Sequence, residues 1–328
     1  MKRNVVVIHP GTLGDVLLAV PAIKRVASRF PQHHLLLIAR GPISRLLAEC
    51  HVVDEWIATE SQVCSGLFTG FGEQSVELRS SLERCDVAVA WTVDVDGSLV
   101  NLLREYGVRK IWIQSPFSPA LRRTHQRDRF LETIEEGSPT GLGEDVLDSP
   151  DHLIEEGRIC LAKKGITKGR SLVLIHPGSG SIHKCLGPEK WAHIIQQLQY
   201  REMSPVVLEG PADQDAVESV LSLLSTQPPV LRDLSLSLLV GVLVQADLYV
   251  GNDSGVTHLA AIVGVRTAAV FGPTDPHRWA PSGRHVTILR GASCVCPTWD
   301  AVKTCHGKPC LDLDVEEILT VLGVGICA

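Results

Sequence analysis

Short apolar runs recur along this chain, separated by turns rich in Gly, Pro and acidic residues, with amphipathic stretches between them. In the first half, residues 5–8, 35–39, 86–91 and 110–113 read as strands. Residues 10–14 read as a turn, and 16–30 as a helix that Pro31 stops, because proline lacks the N–H a helix interior needs. A linker rich in Gly, Pro, Ser and acids is predicted over residues 137–150. The pattern then restarts with helix 151–164, strand 171–176, turn 177–180 and helix 188–200. Strand 205–208, turn 210–213 and helix 214–224 follow. Strand 246–250, a helix body over 259–263, strand 267–271 and a closing helix over 314–322 complete the order. Strands alternating with helices predict an α/β fold with parallel sheets and crossover helices.

The two halves echo each other. Val-Ile-His9-Pro10-Gly11 in the first matches Leu-Ile-His176-Pro177-Gly178 in the second, each where a strand ends. The echo predicts two similar Rossmann-like domains, 1–150 and 151–328, facing one another with ligand at the carboxyl ends of both sheets. The last helix has the option of packing back on the first domain.

Composition narrows the classes without choosing one. The chain has 328 residues, 45% hydrophobic and 21% charged, as an ordinary globular protein of about two domains has. A net charge of −6 argues against a nucleic-acid binder held by bulk charge. No apolar run reaches the roughly 18–20 residues of a membrane span. Residues 234–244 are too few and include Ser235, Ser237 and Gly241. The basic start followed by residues 5–8 is too short for a signal peptide, so a cytoplasmic place is expected. Cys50, Cys64, Cys85, Cys160, Cys185 and Cys327 are scattered, and the reading for them is small buried hydrophobes. Cys294, Cys296, Cys305 and Cys310 crowd together without the paired Cys-x2-Cys spacing of a zinc site. Metal binding, disulfide pairing and a loop staple all stay open for them, with a structural role ahead of a catalytic one.

The chemistry-bearing residues sit at predicted strand ends. Asp253, Ser254 and Gly255 fall where a strand stops and a helix begins, where unpaired N–H groups and the helix dipole favour a phosphate. Ser179 and Gly180 lie in a small-residue loop after residues 171–176, with Lys184 shortly beyond as a point charge. The loop lacks the Gly-Lys-Ser/Thr ending of an ATPase P-loop. Glu209 and Asp213 flank the turn after residues 205–208, a place where acids accept from ribose hydroxyls and where plain solvated acids are equally common. In the first half, Thr12, Gly14 and Asp15 open the first helix. Asp15 is placed to take a proton from an acceptor hydroxyl, or simply to cap the helix. Arg122, Arg123, His125, Arg127 and Arg129 form a basic run that suits an anionic acceptor or a solvated surface.

Taken together, the motifs resemble glycosyltransferase family 9, the ADP-heptose:lipopolysaccharide heptosyltransferases. The matching residues are Gly14-Asp15-Val16-Leu17 with Pro21-Ala22, His176-Pro177-Gly178 with Lys184, and Pro188-Glu189-Lys190-Trp191. Gly210-Pro211-Ala212-Asp213, Asp253-Ser254-Gly255 with His258-Leu259, and Phe271-Gly272-Pro273-Thr274-Asp275-Pro276 complete them. The resemblance implies the GT-B architecture, with the nucleotide-sugar on the C-terminal domain and a lipid-linked acceptor on the N-terminal one. It implies Asp15 as general base. It also implies a donor site of Ser179, Gly180, Lys184, Asp253, Ser254, Gly255, His258 and Thr274, with Asp213 or Glu209 on the ribose. The acceptor side is assigned Thr12, Gly14, Arg122 and Arg123. Transfer would be inverting and independent of metal or other cofactor, from an ADP-heptose-like donor to a lipopolysaccharide core acceptor at the inner face of the membrane. Two departures stand out: Lys-Cys185-Leu186 replaces the usual Lys-Arg-Trp, and Val256-Thr257 follows Asp-Ser-Gly. Two rivals remain, another nucleotide-sugar enzyme such as an epimerase, and a binding protein without turnover.

Overall fold

The computed structural model describes residues 2–64, 67, 75–116, 124–134, 146–166, 169–293, 296 and 298–324. It divides into two compact units, Met1–Asp148 and Ser149–Ala328. Most of the linker predicted over 137–150 lies outside the described residues.

In the first unit, β1 (Asn4–His9), α1 (Leu13–Arg29), β2 (His34–Ala39), α2 (Gly41–Glu49) and β3 (Glu55–Ala58) come first. Next come α3 (Val76–Glu83), β4 (Cys85–Ala90), α4 (Ser98–Glu105), β5 (Lys110–Ile113) and α5 (Gln126–Ile134). The strands pair in parallel in the order β3-β2-β1-β4-β5. Val5, Val6, Val7 and Ile8 are all buried, as the middle strand of a sheet covered on both faces requires.

The second unit opens with α6 (Asp151–Lys163), β6 (Leu172–His176), α7 (Pro188–Tyr200), β7 (Ser204–Glu209), α8 (Gln214–Leu221) and β8 (Val230–Arg232). It continues with α9 (Leu236–Leu243), β9 (Leu248–Asn252), α10 (Gly255–Ile262), β10 (Thr267–Val270) and α11 (Pro276–Trp279). β11 (Val286–Leu289), α12 (Trp299–Lys303) and α13 (Val315–Val321) close it. The parallel strand order is β11-β10-β9-β6-β7-β8. Both sheets reverse direction of winding at one place, between β1 and β4 and between β6 and β9. In doubly wound sheets ligands bind outside the carboxyl ends of the strands at such a point.

Several boundaries move from the sequence expectation, each for a local reason. The strand expected over 246–250 is β9, shifted toward the C-terminus. Ala246 closes the preceding turn on Leu243 O, and the Asp247 carboxylate accepts the Leu172 N–H instead of starting the strand. The helix whose body was expected over 259–263 begins at Gly255, because the Ser254 hydroxyl caps it by accepting the Thr257 N–H. The closing helix packs on α7 in the second unit, where Ile318 and Leu319 join its core. No helix among the described residues is long and apolar enough to cross a membrane.

Candidate functional site

Three turns of the second unit meet where its sheet reverses. Asn252 ends β9 with a side chain wholly buried, which an amide tolerates only when its polar atoms are satisfied. Its Nδ2 donates to Pro177 O at 2.6 Å, and its Oδ1 accepts the Leu186 N–H at 3.0 Å. One side chain thereby fastens both ends of the loop that follows β6. The Ser179 hydroxyl donates to Asp253 O at 2.6 Å, and Lys184 Nζ donates to Asp253 Oδ2 at 2.8 Å. Asp253 itself is buried. It holds two loops against each other and places the Lys184 cation beside the start of α10.

Beneath that surface runs a buried polar network. His176 Nε2 lies 2.9 Å from Asp213 Oδ2, which also accepts the Gly210 N–H at 3.0 Å. His176 Nδ1 lies 3.2 Å from Ser254 Oγ. Ser254 Oγ is 3.1 Å from Thr257 Oγ1, and the Tyr249 hydroxyl is 2.9 Å from the same atom. Burial alone would raise the Asp213 carboxyl, but the His176 hydrogen bond and charge and the Gly210 amide outweigh it and hold it below the usual range. Burial pushes the Tyr249 hydroxyl well up, so it stays a donor. Asp, His and Ser in this order suggest a nucleophilic relay. Ser254 instead works as the α10 cap, wedged between His176 and Thr257, and no more than 9% of it is exposed.

The chemistry of these turns suits an anion. Neither Gly255 nor Val256 has a partner for its N–H among the described residues, as first-turn amides of a helix do not. Those amides, the Lys184 ammonium and the Ser179–Gly180 turn bring partial and full positive charge to one strand edge.

The first unit carries the related turn at the end of β1. Asp15 is the third residue of α1, not its cap: Thr12 caps, and Asp15 Oδ2 accepts both the Thr12 N–H at 2.9 Å and the Thr12 hydroxyl at 2.7 Å. Oδ1 of Asp15 has no hydrogen-bond partner among the described residues. Behind it, His9 is buried, and its Nδ1 accepts the Gly11 N–H at 3.2 Å. Its ring packs on Phe130 and Trp91, at centroid distances of 5.3 and 5.8 Å. Burial pushes the imidazole down to about 4 against the pull of the Asp15 charge, so the ring is neutral.

Of the residues singled out in the sequence, Ser179 and Lys184 bond to Asp253, and Asp213 is joined to Ser254 through His176, with Gly180 and Gly255 in the adjoining turns. His258 is buried one turn into α10. Thr274 is half-buried in the turn after β10. Glu209 ends β7 in an ion pair with Arg232 at 3.1 Å, apart from the network. Arg122, Arg123 and Cys294 lie outside the described residues, as does Cys327.

The basic run is not a solvated surface where it is described. Arg129 is fully buried, with its guanidinium on the Ser115 and Pro116 carbonyls, and Arg127 donates to Asp128. Cys50, Cys64, Cys85 and Cys310 are buried, whereas Cys160, Cys185, Cys296 and Cys305 are half-buried. Among the described residues no group of three or more His, Cys, Asp or Glu side chains could hold a metal. Sequence reasoning missed His176, Tyr249, Asn252 and Thr257 as site residues. The available signal was a polar residue, Asn252, ending an otherwise apolar strand next to Asp-Ser-Gly.

Residues 121–308 match the family model described as glycosyltransferase family 9 (heptosyltransferase). Lipooligosaccharide heptosyltransferase 2 of Campylobacter jejuni is 23% identical over 320 residues, 94% of each chain. A glycosyl transferase family 9 structure from Veillonella parvula superposes with a TM-score of 0.79 at 19% identity, over 98% of this chain and 96% of that one. The structure of Escherichia coli ADP-heptose lps heptosyltransferase II gives 0.77 at 20% identity, over 98% of both chains. The two-sheet α/β architecture is thus the GT-B fold expected from the motifs.

Proposed function

The chain belongs to glycosyltransferase family 9, and on that premise we propose that it moves a heptose from an ADP-heptose donor to a lipopolysaccharide core acceptor, with inversion and without a metal. The observation that carries the donor half is the open start of α10 beside Lys184. Two amides unpartnered among the described residues and an ammonium at one strand end are what a departing diphosphate needs as negative charge grows on it. Asp253 keeps Lys184 in place, and Ser179 fixes the adjoining turn. These groups supply the positive charge that a divalent ion would otherwise bring.

In the first unit Asp15 acts as general base. Thr12 occupies Oδ2, which leaves Oδ1 to take the proton from the acceptor hydroxyl. The acceptor oxygen then bonds to the anomeric carbon from the face opposite the diphosphate, the bond to ADP breaks, and the configuration inverts. The first unit binds the acceptor and the second the donor. A lipid-linked acceptor would bring the protein to the inner face of the membrane as a peripheral enzyme.

The test is Asp15→Asn. The amide oxygen still accepts the Thr12 N–H, so unfolding should change by less than about 1 kcal/mol, the scale of one cap interaction. Transfer should fall about 100-fold or more, the range of a lost general base. Full transfer by this variant to the true acceptor would remove Asp15 from the role.

A further inference from the structure

Lys308 holds a backbone conformation that suits glycine better than lysine. Its φ of 38° and ψ of 51° fall in the left-handed region, where a Cβ crowds the neighbouring carbonyl. Pro309 follows, and a proline pushes the residue before it toward extended backbone. Glycine would occupy the position without either penalty.

The stretch that follows is held on three sides. The Gly291 N–H donates to the Cys310 carbonyl at 3.0 Å, and Leu311 lies against Gly272, where an added Cβ would meet it at 3.0 Å. Lys190 Nζ donates to Asp312 Oδ1 at 2.9 Å and to the Leu313 carbonyl at 2.7 Å. Residues 310–313 are thus anchored just beyond the ends of β10 and β11 and at the first turn of α7. That anchorage delivers Lys308 to the loop after β6, where its Nζ donates to the Ile182 carbonyl at 3.4 Å. The contact is long, and the same carbonyl already accepts the Cys185 N–H at 3.3 Å. Among the described residues no carboxylate pairs with Lys308.

Lys184, two positions beyond Ile182, is differently placed. Asp253 lies 2.8 Å from its ammonium, so that pair brings no net charge to the loop. The start of α10 adds only partial charge. Lys308 brings an unmatched cation to the same short turn. Burial pushes the Cys185 thiol up to about 11 and the Asp213 charge adds to that, while Lys308 and Lys184 both pull it back. The two ammonium groups therefore bear on one point of the loop.

We propose that Lys308 is the second cation of the donor anion site, its ammonium leaving the Ile182 carbonyl for a diphosphate oxygen when the nucleotide binds. This rests on the donor reading given above. The unfavourable backbone is then the cost of the side chain, since a glycine that fits the turn has no ammonium to offer.

The experiment measures ADP affinity by calorimetry and thermal unfolding without nucleotide, on the full chain. Lys308→Met keeps the stem and removes the charge, and Lys308→Gly also relieves the backbone. Both should bind ADP about tenfold more weakly, the scale of one charge-assisted hydrogen bond. Raising the salt concentration should weaken ADP more in the wild type than in either variant. The unfolding midpoint of Lys308→Gly should hold or rise by about 2 °C. A midpoint lowered in Lys308→Gly would make the lysine a fastener of its own segment and overturn the proposal. Unchanged ADP affinity in both variants, or the same salt dependence as the wild type, would overturn it as well. Wild-type protein that binds no ADP would overturn the donor reading itself, an outcome distinct from wild type and variants binding ADP alike.

Discussion

His9-Pro10-Gly11 and His176-Pro177-Gly178 occupy equivalent places in the two sheets, yet the two imidazoles live under opposite electrostatics. His9 has an aromatic wall of Trp91 and Phe130, one N–H from Gly11, and a buried Nε2 with no hydrogen-bond partner among the described residues. His176 has a carboxylate on one side and a hydroxyl on the other, and both its nitrogens are engaged. The same tripeptide on the same strand therefore gives a neutral packing group in one unit and a polar fastener in the other. What differs is the residue supplied by a distant element: Asp213 reaches His176 from 37 positions away, and Phe130 reaches His9 from α5.

The largest separation should come from replacing each ring. His176→Phe leaves the Asp213 carboxylate buried with only the Gly210 amide, and should cost about 3–5 kcal/mol in urea unfolding, as removal of one partner of a buried pair does. His9→Phe puts an aromatic among aromatics and gives up one hydrogen bond, for a change near 1 kcal/mol. Equal costs would erase the contrast. The glycines should divide in the same sense. At Gly178 an added Cβ meets the carboxyl of Asp213, itself fastened on both sides, whereas at Gly11 it meets His9 Cε1 at 2.6 Å and Asp15 Cβ at 2.9 Å. Both alanine variants should lose about 1–3 kcal/mol from overpacking. Only Gly178→Ala should also weaken ADP binding, which calorimetry reads directly.

Acid probes the same contrast by titration. His9 titrates near 4 in the folded chain against 6.5 unfolded, so between those values the unfolded chain binds more protons. Its neutral, buried form contributes stability that is complete above 6.5 and falls as pH drops, by roughly 1.4 kcal/mol per pH unit at the steepest. His9→Phe should flatten that part of the pH profile, and an unchanged slope would show that the ring is not buried neutral. Asp213 adds its own term at lower pH, since a depressed carboxyl loses its contribution as pH falls from its unfolded value through its folded one.

The alternation of strands and helices was legible because parallel strands covered on both faces are nearly continuous apolar runs, as residues 5–8 and 172–175 are. The junction at Asp253-Ser254-Gly255 was legible for the same local reason, an apolar strand that ends in small polar residues before a helix. Asn252 was not, because a polar side chain at a strand end reads as a turn until its partners at Pro177 and Leu186 are known. That His176 faces Asp213 was not legible either, because the two lie 37 positions apart on separate strand ends. The helix α9 escaped because Leu-Ser-Leu-Leu-Val-Gly-Val-Leu is apolar nearly all round and has no polar face to give a period.

The Asn252 side chain also sets an order of events during synthesis. β9 lies beside β6, although β7 and β8 are made between them, and Asn252 reaches back 75 positions to Pro177. A nascent chain that has passed α8 holds β6, Lys184 and Asp213, and still lacks β9 and the start of α10. Closing a loop of that length is paid for before its contacts return anything, which makes such pairings slow. On the donor reading, nucleotide binding should appear only once β9 has docked beside β6, and a ligand present during refolding should favour that pairing.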